Sequence, residues 1–457
     1  MKPRHIVYII WLVFALLAVI CYFAPAEGWK IGTWNLRWPT LAKVLGTENK
    51  IDSIQTLVDT ITLQEIDTTG LALPTQDCEQ PEITQTKIKE LSTRIYLSAF
   101  YQSLDSTDMM PIRVVHYGDS QIEEDRITSV LREHLQKQYG GGGVGLIPLH
   151  QTIPTATTRQ SLSIDNVIQR TQGGPKRYLV YGPKSMQLDN NDYGIMGQVA
   201  IMDNNLVTGS ENLILKVEPF YGQPRVYNYF NQIRLISENI HGQVFASNIS
   251  SSLESNQVVS VPDQTTRSEI HLQGRGKVYA ISLESDRGII VDNIPMRGCS
   301  GNIFTRIDSI ALRKFFKETN TRLIILQYGG NMIPYNNNSS TIDGYVRGLH
   351  KQVQYIRSCA PQASILFIGP SDMSTRIDGE METYPLIPYM DKLLEKMARE
   401  EKIGYWSLYE AMGGKNSMLE WRQKGLAGSD YVHFTQAGAK KAGEMLSAWL
   451  EEGNIFQ

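Results

Sequence analysis

Residues 112–120 read Ile112-Arg113-Val114-Val115-His116-Tyr117-Gly118-Asp119-Ser120. The run is rich in β-branched residues and stops at Gly-Asp-Ser, so it predicts a buried strand that delivers a serine to the tip of a sheet. Continuous apolar runs return later in the chain with helical segments between them, as expected for parallel strands covered on both faces. The sequence therefore predicts a three-layer α/β/α domain.

The alternation of strands and helices is clearest in the C-terminal part. Predicted strands cover residues 288–292, 322–327, 364–368 and 403–407, and predicted helices cover residues 305–318, 342–359 and 385–400. Between residues 158 and 285 the pattern changes to short alternating runs with turn residues between them, which indicates an inserted β-sandwich module. The α/β domain is thus predicted to consist of residues 111–157 and 286–457. Residues 28–110 are interpreted as a lead-in or tether with a helix near residues 88–104.

Composition restricts the function classes. A chain of 457 residues with 42% hydrophobic residues is long enough for two or three domains with a proper core. The formal net charge of -3 gives no reason to expect a nucleic-acid partner. Outside the N-terminal segment the cysteines are Cys78, Cys299 and Cys359, and their odd number and spacing argue against a disulfide framework and against a zinc site. One disulfide with one remaining thiol stays open, and nothing in the sequence indicates an oligomeric state.

The N-terminus carries an export pattern. An apolar stretch, residues 6–24, follows the basic start Met1-Lys2-Pro3-Arg4-His5. Its length is close to the roughly 17–25 residues that cross a bilayer. Residues 1–27 are therefore predicted to be either a cleaved signal peptide or a retained hydrophobic helix that anchors the protein in the inner membrane. Both readings place the rest of the chain in the periplasm or cell envelope.

Candidate catalytic residues come from two distant parts of the chain. Ser120 is a candidate nucleophile, and the segment Asp430-Tyr431-Val432-His433 offers a base with a carboxylate to orient it. Donors for an oxyanion are expected where other strands end, in segments 293–302 and 327–331, which supply glycine and asparagine. With the N–H of Ser120, such donors would complete an oxyanion hole. The pattern predicts a serine hydrolase.

These four segments, taken together and in this order, resemble the SGNH/GDSL hydrolase superfamily. The segments are Gly118-Asp119-Ser120, Gly298-Cys299-Ser300-Gly301, Gly329-Gly330-Asn331 and Asp430-Tyr431-Val432-His433. The resemblance covers residues 111–150 and 286–457 and implies a flavodoxin-like α/β/α fold. It also implies a catalytic triad of Ser120, Asp430 and His433, and an oxyanion hole formed by Ser120, Gly301 and Asn331. No metal and no organic cofactor are implied.

Two positions depart from the family pattern. Gln121 replaces the leucine that usually follows Gly-Asp-Ser, and Met332 replaces the aspartate common after the asparagine. The long separation of the serine and glycine segments, with a β-sandwich between them, is similar to bacterial peptidoglycan O-acetylesterases. That similarity implies an O-acetylated glycan as substrate, with peptidoglycan as the leading candidate, and hydrolysis through an acetyl-serine intermediate.

Other interpretations remain open from the sequence. A polysaccharide O-acetyltransferase would use the same triad and differ only in the acceptor of the acetyl group. A non-catalytic glycan-binding protein could retain the same fold. The glycine run at residues 140–145 follows a predicted helix and lacks the Lys-Ser/Thr ending of a phosphate-binding loop, so it is interpreted as a tight loop.

Overall fold

The computed structural model describes residues 29–31, 34–36, 93–164, 175–202, 212–220, 225–336 and 338–455. Two short strands, Trp29–Ile31 and Trp34–Leu36, form an antiparallel hairpin within a separate N-terminal unit. The predicted hydrophobic helix in residues 1–27 lies outside the described residues, as does most of the predicted lead-in. Among the helices that the structure does describe, none is both long and apolar enough to cross a membrane.

Numbered in chain order, the strands are β1 Trp29–Ile31, β2 Trp34–Leu36, β3 Ile112–Gly118, β4 Gly145–Ile147, β5 Thr158–Ile164, β6 Lys176–Leu179, β7 Gln198–Met202, β8 Leu213–Pro219, β9 Phe230–Glu238, β10 His241–Ala246, β11 Ile249–Glu254, β12 Val258–Thr265, β13 Ser268–Gln273, β14 Gly276–Glu284, β15 Ile289–Pro295, β16 Thr321–Gln327, β17 Ser364–Ile368, β18 Ser374–Ile377, β19 Glu380–Thr383 and β20 Gly404–Trp406. The α-helices are α1 Ser98–Leu104, α2 Thr128–Tyr139, α3 Ser309–Glu318, α4 Ser339–Cys359, α5 Ile387–Glu400, α6 Leu408–Met412, α7 Ser417–Gln423 and α8 Gln436–Ile455.

A five-stranded parallel sheet forms the centre of the α/β domain. Its strands lie in the order β15-β3-β16-β17-β20, so in order of appearance along the chain they run 2-1-3-4-5. This is the flavodoxin-like order, in which the strand order reverses beside the first strand. Because ligands of such sheets bind outside the carboxyl ends of the strands at this reversal, the end of β3 is the expected site.

The sheet is buried on both faces because its side chains alternate. Along β3, Val115 and Tyr117 join a core with helices α3, α4 and α5, whereas Ile112 and Val114 join a second core with α1, α2 and α8. The strands β16 and β17 divide their apolar side chains in the same way. Helices therefore cover each face, and the predicted mixed α/β architecture with a parallel sheet is confirmed.

The strands β5 to β14 form two antiparallel sheets. One has the order β11-β10-β13-β8-β5, and the other has the order β12-β9-β14-β7-β6. Side chains from both sheets, such as Leu215 of β8 and Leu235 of β9, share one core. Strand β4 lies in the segment that the sequence assigned to the α/β domain, yet it pairs with β14. The division into domains stays a prediction.

The connection between β6 and β7 packs against the α/β domain. Tyr181 and Ile195 from this connection share a core with Met296 and Cys299. The Tyr117 hydroxyl donates a hydrogen bond to the Ile195 carbonyl over 2.9 Å. The β-sandwich thus contacts the segment that follows β15, which carries the predicted glycine of the oxyanion hole.

Candidate active site

The predicted nucleophile lies on a tight turn directly after β3. Asp119 accepts a hydrogen bond from the Gln121 N–H over 2.9 Å, which fixes the backbone around Ser120. A side chain at Gly118 would lie 3.0 Å from Ile122 and 3.2 Å from the Gln327 carbonyl. This position therefore has little room for anything larger than glycine. The turn leaves Ser120 partly exposed at the carboxyl end of the sheet.

The structure brings Ser120, His433 and Asp430 together. The Ser120 Oγ lies 2.9 Å from His433 Nε2, and His433 Nδ1 lies 2.8 Å from Asp430 Oδ2. Both distances are in the range expected for a nucleophile, a general base and the carboxylate that orients it. The chain thus places the three side chains in one hydrogen-bonded row, although 313 positions separate Ser120 from His433.

Local backbone geometry shapes the segment with the histidine. Tyr431 has a φ of 56°, in the left-handed region that a bulky residue rarely adopts. This turn allows Asp430 Oδ1 to accept hydrogen bonds from the backbone N–H groups of Val432 and His433, each over 3.1 Å. Asp430 therefore fixes both the backbone and the imidazole ring of His433.

Hydrogen bonding keeps Asp430 ionised. Partial burial alone would raise the pKa of its carboxyl group, but hydrogen bonds from the His433 ring and from two backbone N–H groups outweigh burial and lower the pKa to about 2. The carboxylate is consequently charged throughout the physiological range. A charged acceptor at Nδ1 keeps the proton on that nitrogen, so that Nε2 is free to accept the proton of Ser120.

Two side chains that the sequence did not identify as functional fasten the serine turn to the histidine segment. Gln121 Nε2 donates to the Val432 carbonyl over 2.8 Å. Arg126 donates to the Phe434 carbonyl over 2.8 Å and to the Ser120 carbonyl over 3.2 Å. The only sequence signal for either was the departure from the family pattern at Gln121. These contacts fix the two segments that carry the nucleophile and the base.

Gly301 lies where only glycine fits. Its φ is 91°, and a Cβ there would lie 2.8 Å from the Tyr328 ring. The Gly301 N–H donates to the Cys299 Sγ over 3.3 Å. The sequence predicts this N–H as an oxyanion donor, and the structure shows it engaged with a neighbouring sulfur, a weak acceptor. A negatively charged oxygen is a much stronger acceptor and would be expected to displace it.

Asn331 lies beside the serine turn. Its Nδ2 is 3.0 Å from Asp119 Oδ2 and 3.1 Å from the Cys299 carbonyl. Asp119 therefore connects Asn331 to the residue that precedes Ser120. The predicted amide donor is close to the nucleophile, and both of its N–H groups have acceptors in this structure. Whether Gly301 and Asn331 bind an oxyanion stays a prediction.

Burial shifts the pKa of two other titratable side chains, Asp119 in the serine turn and His116 on β3. Burial raises the pKa of Asp119 to about 6, while the hydrogen bond from Gln121 opposes this shift. His116 is fully buried between Gln327 and Thr128, and burial lowers its pKa to about 3. A neutral, enclosed imidazole cannot exchange protons with a substrate, so His116 is part of the core.

No group of three potential metal ligands occurs in the described part of the chain. Cys299 and Cys359 are buried free thiols, and Cys78 lies outside the described residues. The end of β3 brings together a hydroxyl, an imidazole and a carboxylate with amide donors nearby, a combination that is suited to acyl transfer.

Comparison with known proteins identifies the class. Residues 267–441 match the model of the GDSL-like lipase/acylhydrolase family, so the chain contains a hydrolase domain of this family. The matched range includes Gly301, Asn331, Asp430 and His433, whereas Ser120 lies before the β-sandwich and outside the range. The predicted resemblance and the prediction of a GDSL-type ester hydrolase are confirmed. The sequence has no match among curated proteins.

Solved structures extend the likeness beyond the matched range. A structure described as a peptidoglycan O-acetylesterase is 23% identical, with a TM-score of 0.60, and the alignment covers 80% of this chain and 97% of that one. An acetyl xylan esterase is 14% identical, with 35% and 81% coverage and a TM-score of 0.26. A family two carbohydrate esterase from Clostridium thermocellum is 9% identical, with 53% and 92% coverage and a TM-score of 0.27. Only the first likeness is close enough to show a shared fold.

Proposed function

We propose that this protein is a serine esterase that removes O-acetyl groups from a polysaccharide through an acetyl-serine intermediate. The observation that carries the proposal is the hydrogen-bonded row from Ser120 through His433 to Asp430, with distances of 2.9 and 2.8 Å. The row lies at the carboxyl end of the first sheet strand, where the strand order reverses and an open α/β sheet binds its ligand.

The reaction proceeds in two halves. His433 Nε2 takes the proton of Ser120 as Oγ attacks the acetyl carbonyl carbon and forms a new C–O bond. The tetrahedral intermediate collapses when the bond to the sugar oxygen breaks, and that oxygen takes the proton from His433. Water then attacks the acetyl-serine, His433 accepts its proton and returns it to Ser120 Oγ, and acetate leaves. In this proposal the N–H groups of Ser120 and Gly301 and the Asn331 amide stabilise the oxyanion.

Peptidoglycan is the leading candidate for the acetylated glycan. The support is a likeness in fold to a peptidoglycan O-acetylesterase that covers 80% of this chain, which is more than the predicted α/β domain alone, so it extends into the β-sandwich. A match over both parts is more informative about the substrate class than a match over the α/β domain alone, because many chemistries share one fold.

The direct test is mass spectrometry of O-acetylated muropeptides, with free acetate measured in parallel. The wild-type protein should remove acetyl groups and release one acetate for each group removed, whereas Ser120→Ala should release none above the uncatalysed rate. Acetyl groups that appear on another glycan without free acetate would indicate an O-acetyltransferase instead. Activity of Ser120→Ala within a few-fold of wild type would refute the serine mechanism.

We further propose that the protein acts in the cell envelope. The basic start and the apolar residues 6–24 support export, and peptidoglycan lies outside the cytoplasm. Fractionation of cells that express the full chain should recover it with the membrane or the periplasm. Recovery in the cytoplasmic fraction would contradict this proposal.

A further inference from the structure

Arg177 of β6 is a partly buried cation held by neutral groups. Its guanidinium donates to the Gln198 side-chain oxygen over 2.7 Å, to the Thr152 hydroxyl over 3.2 Å and to the Tyr181 hydroxyl over 3.5 Å. No carboxylate among the described residues lies within ion-pair distance of it. Partial burial removes some of the hydration of a charge, and a partner of opposite charge would compensate this loss. A guanidinium in such surroundings is suited to an anion from outside the chain.

The side chain also borders open space. Arg177, His150, Gln198 and Tyr279 line a shallow cleft that is open to solvent and has room for about one water molecule inside it. Two acids beside Tyr279, Asp192 and Glu238, receive hydrogen bonds from the Tyr279 hydroxyl. Both are also paired with the Lys277 ammonium group, over 2.6 and 2.9 Å. They therefore do not neutralise Arg177.

Beside the cleft, Arg177 contacts Tyr181. This side chain is buried in the same core as Cys299, on the segment that carries Gly301. Its surroundings also include the charges of Arg177 and Glu123, since both act on the Tyr181 pKa, which burial raises to about 12. Glu123 lies three residues after Ser120. Arg177 thus contacts, through Tyr181, the core that the connection between β6 and β7 shares with the segment of Gly301.

We infer that Arg177 binds a carboxylate on the glycan part of the substrate, so that the β-sandwich selects anionic acetylated glycans. This inference rests on the proposed function. A guanidinium has five N–H donors and three are in use, which leaves two for a carboxylate. Arginine suits this task because its planar fork matches the two oxygens of a carboxylate. In an intact muropeptide this carboxylate belongs to the attached peptide, because the carboxyl group of the sugar forms the amide bond to that peptide.

The test compares O-acetylated muropeptides with the same compounds after conversion of their carboxylates to amides. Wild type, Arg177→Gln and a control, Arg267→Gln, are assayed on both and on p-nitrophenyl acetate. Arg267 also lies on the β-sandwich, with its side chain 76% exposed. Arg177→Gln should raise KM for the carboxylate form about 10- to 100-fold, as expected for loss of charge-assisted hydrogen bonds. Its KM for the amide form and its rate on p-nitrophenyl acetate should match those of Arg267→Gln.

Three results would overturn the inference: equal KM of wild type for both forms, no effect of Arg177→Gln, or the same loss on all three substrates. Binding to Ser120→Ala separates this inference from the proposed function. A preference of that variant for the carboxylate form would support the role of Arg177 even if wild type released no acetate.

Discussion

Single residues around Ser120 do more than supply the triad. Asp119 precedes the serine, accepts from the Gln121 N–H and lies 3.0 Å from the Asn331 amide. Its carboxylate therefore links the nucleophile turn to a predicted oxyanion donor. Because burial raises the Asp119 pKa to about 6, this link is sensitive to pH in a range where the enzyme can be assayed.

As pH falls through about 6, Asp119 takes up a proton and loses one acceptor for Asn331. We therefore expect the kcat of wild type to fall more steeply than that of Asp119→Asn as pH decreases through about 6. The kcat of the variant should be about 10- to 100-fold lower on the plateau, since an amide has one acceptor atom, whereas the carboxylate uses one oxygen for Gln121 and the other for Asn331. The pH profile of kcat on p-nitrophenyl acetate, measured for wild type and Asp119→Asn, checks the pH dependence and the plateau value.

The raised pKa of Asp119 also makes the free energy of unfolding depend on pH, and this dependence runs opposite to that of kcat. A carboxyl group with a raised pKa in the folded state contributes stability that is present below about pH 3.8 and is lost as pH rises through about 6. The free energy of unfolding of wild type relative to Asp119→Asn should therefore decrease over this window. An increase, or identical slopes in the kinetic experiment, would contradict the assigned role.

Arg126 shows what the sequence could not reveal at this scale. The candidate triad was predictable because its residue types and local patterns are characteristic. The Arg126 guanidinium instead reaches a carbonyl 308 positions away, and no local pattern indicates such a contact. The sequence likewise gave no sign that the Cys299 sulfur accepts a hydrogen bond from the Gly301 N–H, because this contact depends on how the loop folds.

We expect Arg126→Ala to lower kcat on p-nitrophenyl acetate about 10²-fold with little change in KM, because small misplacement of catalytic groups has effects of this size. Guanidinium ions added to the assay should restore part of the rate. Arg267→Ala serves as the control for loss of a surface arginine. Wild-type kcat in Arg126→Ala would show that the contacts with the Ser120 and Phe434 carbonyls are dispensable.

At the scale of elements, a buried charge cluster fastens the β-sandwich to the α/β domain. Arg113 of β3 binds Asp292 of β15 over 2.7 Å and also binds Glu284 of β14. Glu284 in turn accepts from Arg234 of β9 over 2.8 Å. Arg113, Glu284 and Asp292 are almost inaccessible to solvent, so each charge depends on its partners for compensation.

Glu284→Gln should therefore lower the free energy of unfolding by about 3–5 kcal/mol, as expected when one partner of a buried ion pair is removed. The control is Glu269→Gln, which breaks an exposed pair with Lys216 on the same module and should cost less than about 1 kcal/mol. Urea unfolding of both variants measures the difference. Equal stabilities of the two would mean that the cluster does not hold the β-sandwich in place.

Elements with strong patterns were predictable. The strand predicted at residues 364–368 is β17, and the helix predicted at 342–359 corresponds to α4. Strands β10 to β12 were not predicted. In β11, for example, the sequence Ile-Ser-Ser-Ser-Leu-Glu buries only Leu253, so it lacks an alternating apolar pattern. The short strand β4 depends on pairing with β14, which follows more than a hundred residues later, and local sequence carries no sign of such pairing.

At the scale of the whole molecule, the fold explains why the catalytic segments are so far apart. The chain forms one strand of the parallel sheet, then builds the β-sandwich, and then returns to add a strand on each side of β3. Ser120 therefore comes before the sandwich, and Gly301, Asn331 and His433 come after it. The sandwich contacts the segment with Gly301, so it is in a position to influence both substrate selection and the oxyanion donors.

The central claim is that Ser120, activated by His433, carries the acetyl group. It is tested most directly by acid quench of wild type during turnover of p-nitrophenyl acetate, followed by mass spectrometry of the intact chain and of its peptides. We predict a mass increase of one acetyl group, located on the peptide with Ser120 and absent from Ser120→Ala. Turnover without such an adduct, or an adduct on a different residue that persists in Ser120→Ala, would contradict the account.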